Sequence, residues 1–181
     1  MQTINELTPT EFDIQNSNYE YQTELTSKLD SLNSDFDQEI LNEIVLWKVN
    51  RFGAFDSDAI DLINKIKKTD TQIDTTLTEE ILRKLLHKDQ KGVRLAMAST
   101  ILRFKNPTIY QIIDQRVYRF IYGKELKYSE TNINEQITVY IEYLNKLRQV
   151  CLGHNIQFEK ADRVFYSMDK RYNSDVKLKG Y

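Results

Sequence analysis

The sequence predicts an all-α protein, and three observations support this fold class. Apolar residues recur at steps of three and four along several segments, as they do on one face of an α-helix. Residues that cap helices stand before most of these segments. Alternating apolar and polar residues, the pattern of a half-buried strand, nowhere extend over a useful length. We therefore expect roughly seven to ten helices.

The helices are expected to begin at capping residues, whose side-chain oxygens accept hydrogen bonds from the free amides of a first turn. Such residues precede four of the periodic segments, at Asp35 or Asp37, at Asp56–Asp58, at Thr76 with Glu79, and at Asn132. A first helix is expected near residues 19–32 and a last one over residues 159–172. Residues 1–17 lack periodicity and are expected to be extended or loosely packed, and residues 173–181 form a basic tail.

Length and composition restrict the class of protein. A chain of 181 residues with 40% hydrophobic residues can bury the core of a single domain, so we predict one domain over residues 1–181. No apolar run approaches the roughly 18 residues that span a bilayer, and no signal-peptide pattern opens the chain. We therefore predict a cytoplasmic protein that does not associate with membranes.

Cysteine and histidine usage argues against a bound metal or cofactor. Cys151 is the single cysteine, which excludes an internal disulfide and a site built from several cysteine ligands. Its apolar helical surroundings predict a small buried residue. His87 and His154 do not stand in a zinc-binding spacing. We expect neither a metal nor a cofactor.

The charge is distributed unevenly although the formal net charge is only −2. Residues 1–45 carry ten acids against one lysine, whereas residues 83–127 carry eleven Lys and Arg against three acids. Residues 160–181 are also basic, with six Lys and Arg against three acids. Such asymmetry indicates a local face that binds a polyanion, although an ordinary solvated charged face has the same composition.

The central stretch over residues 85–123 contains the feature most suited to such binding. It reads as a helix, a turn at Lys91-Gly92-Val93 and a second helix that begins near Arg94. The first amides of a helix point outward without partners and attract anions. Lys91 and Arg94 would add positive charge on either side of the turn. An ordinary corner between two helices fits the same residues.

A second element of this stretch is Asp114, which stands where it would cap a helix over Gln115–Tyr122. A capping aspartate usually has only that structural role. Here it follows the turn at a fixed interval, eighteen residues after Ala96, and Arg116 and Arg119 come close behind it. The spacing therefore suggests that Asp114 has a role in a site.

The runs KGVRLAMAS and IIDQRV resemble the signature of the helix-hairpin-helix DNA glycosylases, the endonuclease-III-like (HhH-GPD) superfamily. The resemblance covers about 35 residues and implies a two-lobed helical domain. It also implies a hairpin whose main-chain amides bind double-stranded DNA, followed by a catalytic aspartate. Gly92 and Val93 match the hairpin, Asp114 matches the acid, and Arg119 matches an arginine that follows it.

The resemblance therefore implies Asp114 as the catalytic residue. It implies a DNA contact from seven residues of the stretch: Lys91, Gly92, Val93, Arg94, Ala96, Ser99 and Arg116. Ala96 stands where bifunctional members carry the Schiff-base lysine, so hydrolysis of an N-glycosidic bond is expected without lyase activity. Arg94 and Lys91 replace a glycine and a proline of the family pattern.

Two other functions fit the same sequence. One is a DNA-binding module that keeps the hairpin without base excision, which the replacement at Arg94 and the short chain favour. The other is a protein-interaction domain whose basic face meets an acidic partner, such as its own acidic N-terminal segment.

Overall fold

The computed structural model describes residues 22–33, 35–49, 53, 55–88, 90 and 93–178. These residues form eight α-helices, one short 3₁₀ helix and no strand, which confirms the predicted all-α class. Within the same ranges, no helix has both the length and the apolar character needed to cross a bilayer. The predictions for residues 1–17, Lys91 and Gly92 lie outside the described residues.

The contacts divide the chain into two compact units, over residues 1–52 and 53–181. In the first unit, α1 (Thr23–Asp30) packs against α2 (Gln38–Lys48). Trp47 joins the two helices, since its indole Nε1 donates a 2.8 Å hydrogen bond to Oγ1 of Thr26. The other apolar side of α2, with Leu41, Val45 and Val49, is exposed.

The second unit contains the remaining helices and most of the buried side chains. They are α3 (Ser57–Lys65), α4 (Thr75–Leu85), α5 (Leu95–Lys105), α6 (Gln115–Tyr122), α7 (Ile133–His154), the 3₁₀ helix Phe158–Lys160 and α8 (Ala161–Tyr172). The long helix α7 contributes the predicted apolar row to the core, including Tyr140, Leu144 and Cys151. Helix α6 packs chiefly against α8, and α3 packs against α4.

Acidic and amide side chains cap the helix starts, as the sequence predicts. Asp37, Asp56 and Asn132 each accept a hydrogen bond from the backbone amide three residues later. The predicted capping box at Thr76 is wrong: α4 begins at Thr75, and Asp74 caps it through the amide of Leu77 at 2.9 Å. Aspartate is a better capping residue than threonine, so the helix begins directly after Asp74 and not after Thr76.

Two connections differ from the expected ones. Helix α7 ends at His154 with Asn155 in the left-handed conformation (φ 53°), and not at Gly153. Residues 86–94 separate α4 from α5, a longer connection than a tight turn. Residues 107–109 form a turn between α5 and the segment that leads to α6. The helix-hairpin-helix geometry of this region therefore remains a prediction.

Candidate functional site

The candidate site is built around Asp114, the residue before α6. Its Oδ1 accepts hydrogen bonds from the backbone amides of Arg116 (2.7 Å) and Val117 (3.4 Å). Asp114 therefore caps α6, as predicted, and the helix has the predicted bounds. A carboxylate at this position is also stabilised by the positive end of the helix dipole.

The extended segment before Asp114 is held by buried hydrogen bonds. The hydroxyl of Tyr140 donates to the carbonyl of Gln111 (3.0 Å), and the hydroxyl of Tyr143 donates to that of Ile112 (2.7 Å). Complete burial raises the pKa of both tyrosines well above the ordinary value, so both hydroxyls keep their protons. These two hydrogen bonds attach the segment before Asp114 to α7.

Asp114 also lines an open cleft of about 450 Å³. Ile112 and Val117 line it on the side of α6, and four residues of α8 line the other: Asp162, Arg163, Tyr166 and Ser167. The Asp114 side chain is half-buried, so other helices do not cover it. The volume lies within the range of small-molecule sites and exceeds that of a single planar ring system.

The α8 side of this cleft contributes two residues that sequence reasoning missed. Asp162 is only 5% exposed and forms an ion pair with Arg103 of α5, whose Nε lies 3.3 Å from Oδ2. Tyr166 is 39% exposed and presents an aromatic ring at the cleft. No local motif marks either residue. The one signal available was their position on the last predicted helix, which is amphipathic and basic.

A buried ion-pair network joins α6 to α8 beneath the cleft. The Asp169 carboxylate has no exposed surface and accepts hydrogen bonds from Nε and Nη2 of Arg119, at 2.7 and 2.8 Å. Nη1 of Arg116 lies 3.3 Å from the same carboxylate. Arg119 also donates to the carbonyls of Asn173 and Val176, which attaches the start of the C-terminal tail to α6.

The predicted phosphate-binding end of α5 is partly exposed. Arg94 is the residue before the helix, and no side chain caps the free amides of the first turn. Its guanidinium lies 3.0 Å from Glu130 in an ion pair in which both side chains are mostly exposed. Ala96 is exposed in the first turn, whereas the Val93 side chain is buried.

The side chain of Ser99, one of the residues for which a DNA contact is predicted, lies in the interior. Ser99 is completely buried, and its hydroxyl donates to the carbonyl of Ala96 (2.8 Å) and accepts from the amide of Ile113 (3.2 Å). The hydroxyl is therefore used to hold the segment that precedes Asp114. Its role at the site is to support the position of that segment.

The basic stretch over residues 83–127 is not a continuous positive face. Several of its side chains pair with acids from elsewhere in the sequence: Lys84 with Asp56, Arg94 with Glu130, Arg103 with Asp162, and both Arg116 and Arg119 with Asp169. Arg103 and Arg119 are buried. Among the described residues of this stretch, the side chains of Arg83, Lys88, Lys124 and Lys127 are exposed as well.

Neither a metal-binding group nor a known relative adds to this site. The described residues contain no group of three His, Cys, Asp or Glu side chains that could hold a metal ion. No protein-family model, curated protein or solved structure matches the chain.

Proposed function

We propose that this protein binds double-stranded DNA and hydrolyses the N-glycosidic bond of a damaged or modified base, with Asp114 as the catalytic residue. The observation that supports the proposal best is the position of Asp114, half-buried in an open cleft at the start of α6. A carboxylate that is positioned by a helix start and accessible from a cleft is suited to the stabilisation of a sugar cation. Together with this function we propose a two-lobed helical arrangement, a helix-hairpin-helix motif and a location in the cytoplasm.

In this proposal the target nucleotide leaves the base stack, at a cost of a few kcal/mol, and enters the cleft. Asp114 then stabilises the positive charge that develops on the sugar as the glycosidic bond breaks, or orients the attacking water. The products are a free base and an abasic site. Ala96 offers no amine for a Schiff base, so the strand is not cut by a lyase step.

The first turn of α5 would bind the DNA backbone. Its amides lack a side-chain cap, and Arg94 stands beside them. The ion pair of Arg94 with Glu130 is exposed and is therefore weak, so a phosphate can replace the carboxylate. Affinity for duplex DNA is then expected to fall steeply with added salt. Arg116 would contribute less, because it already pairs with Asp169.

The test measures release of bases and formation of abasic sites in duplexes that carry deaminated, alkylated or oxidised bases. Asp114→Asn is the decisive variant, because asparagine caps a helix as well as aspartate but carries no charge. We expect this variant to retain the stability of the parent within about 0.5 kcal/mol and to form no abasic product. Equal product from parent and variant would refute a catalytic Asp114.

A non-catalytic DNA-binding module is the second candidate. The hydrogen bonds by which Asp114 caps α6 favour this candidate, because capping is a sufficient structural reason for an aspartate at this position. Salt-sensitive duplex binding by a parent protein that releases no base, at any tested lesion, would establish this function in place of excision.

A protein-interaction domain is the third candidate, and the exposed apolar side of α2 favours it. Leu41, Val45 and Val49, the residue after the helix, are exposed at four-residue spacing, and a row of exposed apolar side chains suits contact with another protein. Absence of DNA binding at low salt would exclude both DNA functions and leave this one.

A further inference from the structure

Helix α8 separates its charges between two sides. Its two acids, Asp162 and Asp169, are 5% and 0% exposed. Its three bases are all exposed on the outer surface: Arg163, Lys170 and Arg171. The helix therefore presents positive charge to solvent although its sequence is nearly balanced.

The buried acids do not weaken this outer charge, because basic residues of other helices neutralise them. Asp162 pairs with Arg103 of α5, and Asp169 pairs with Arg119 of α6. Both arginines are buried as well. What remains toward solvent is the charge of the α8 bases, which a polyanion can approach.

Exposed aromatic rings lie among these bases. Tyr166 is 39% exposed, and the Nζ of Lys170 lies 5.7 Å from the centre of its ring. Tyr172 is 65% exposed beside Arg171, whose guanidinium carbon lies 5.5 Å from the ring centre. An accessible tyrosine ring next to cations offers a flat aromatic face and positive charge in the same place.

The spacing places one tyrosine between two cations on one side of the helix. Arg163, Tyr166 and Lys170 follow each other at three and four residues, so their side chains lie in one row. Two helical turns separate the cations, about 10 Å along the axis. Arg163 and Tyr166 also line the cleft of Asp114, so the row begins at the cleft edge and runs outward along α8.

We propose that the row Arg163–Tyr166–Lys170 on α8 binds single-stranded nucleic acid. The cations contact successive phosphates, and an unpaired base stacks on the Tyr166 ring. A duplex hides its base faces within the stack, so it could use the cations but not the ring. An acidic chain without aromatic residues, such as polyglutamate, likewise has no aromatic face to stack on the ring. Binding of a single strand by this row requires no bond cleavage by Asp114. The proposal is therefore independent of the proposed excision.

Binding is tested by fluorescence anisotropy with a labelled oligothymidylate and a labelled oligouridylate of about 12 nucleotides, over a series of salt concentrations. We expect the parent to bind at least one of them, and the tighter one identifies DNA or RNA as the ligand. Binding of neither at low salt would overturn the proposal. The proposal would also be overturned if an unlabelled duplex or polyglutamate competed as well as the unlabelled single strand.

The stacking role is tested at Tyr166. We expect Tyr166→Ala to bind roughly 5- to 150-fold more weakly, the loss of one stacked base, and Tyr166→Phe to bind like the parent because it keeps the ring. Tyr166→Leu keeps an apolar side chain without the ring and should match the alanine variant. Equal affinity of the alanine variant and the parent would refute stacking.

The charge role is tested with Arg163→Gln combined with Lys170→Gln. Loss of two phosphate contacts should reduce the slope of log affinity against log salt by about 1.4. Lys146→Gln, an exposed lysine on α7, is the matched control and should leave the slope unchanged. An unchanged slope in the double variant would contradict the proposal. Base release and single-strand binding are separate measurements on the parent protein, so failed excision and failed strand binding remain distinguishable.

Discussion

The Asp169 carboxylate of α8 and the Arg119 guanidinium of α6 form a buried, two-pronged ion pair, with distances of 2.7 and 2.8 Å. Such parallel geometry fixes the orientation of both groups and not only their separation. Because α6 and α8 form the two sides of the cleft at Asp114, this pair fixes the two sides relative to each other.

Removal of this pair should be among the most destabilising single changes in the second unit. Asp169→Asn leaves Arg119 buried without a counter-charge, which typically costs about 3–5 kcal/mol. Urea unfolding followed by circular dichroism measures the loss. Asp175→Asn, an exposed acid in the tail, is the control and should change stability by less than about 0.5 kcal/mol. Similar stability of the two variants would show that the pair contributes little.

The same pair predicts a dependence of stability on pH. Burial alone would raise the pKa of Asp169, but hydrogen bonds from Arg119 and Asn173 and the charge of Arg119 outweigh it, so the pKa is lowered. A lowered native pKa stabilises the fold above the unfolded pKa, near 4. This stabilisation is lost as the pH falls through the native value. The stability difference between parent and Asp169→Asn should therefore be constant from about pH 5 to 7 and shrink below about pH 4. A difference that stays constant down to about pH 2 would contradict this assignment.

The tyrosines of α7 should contribute stability through the segment before Asp114. Tyr143→Phe removes the donor to the partly buried carbonyl of Ile112, and loss of such a hydrogen bond typically costs about 0.5–1.5 kcal/mol. Thermal unfolding measures this loss, and Tyr172→Phe, whose ring is exposed, should leave the melting temperature unchanged. Faster hydrogen exchange at the amide of Ile113 would show that the loss is local. Unchanged exchange and stability would mean that water or another donor replaces the hydroxyl.

Glu130 should weaken any DNA contact made by the start of α5. It pairs with Arg94 at the surface, so Glu130→Gln releases the guanidinium and removes a charge that repels phosphate. We expect affinity for duplex DNA to rise by up to roughly fivefold at low salt, the usual strength of an exposed pair. Filter binding measures the change, and Glu142→Gln, an exposed acid on α7, serves as the control. Weaker or unchanged binding would argue against Arg94 as a phosphate contact.

Helix starts and core residues could be predicted from the sequence because they depend on neighbouring residues. Asp114 caps α6 and Asn132 caps α7, as their positions before apolar periodic segments indicate. The end of α7 was harder to predict, because Gly153 and Asn155 both tolerate the left-handed conformation. Packing of the last turn, which no local pattern encodes, decides between them.

The location of the site was predictable only in part. The interval from the turn to Asp114 identified the carboxylate, but not the opposite side of the cleft, which α8 supplies. The resemblance implied a DNA contact at Ser99, which the structure places in the interior. It is buried because its hydroxyl serves the amide of Ile113. Small polar residues occur both at the surface and in the core, so a serine in the sequence does not predict which of the two it will occupy.

The pattern of apolar and capping residues is sufficient to specify an all-α chain and to place Asp114 at a helix start. The surface charge is not specified in this way. A count of charged residues makes residues 83–127 strongly basic, yet Arg103 and Arg119 lie inside, and the acids of α8 lie there with them. Arg119 and Asp169 stand fifty residues apart along the chain. Ionic partners at such separations meet only when the helices pack, so the packed chain alone reveals which charges are neutralised and which face solvent.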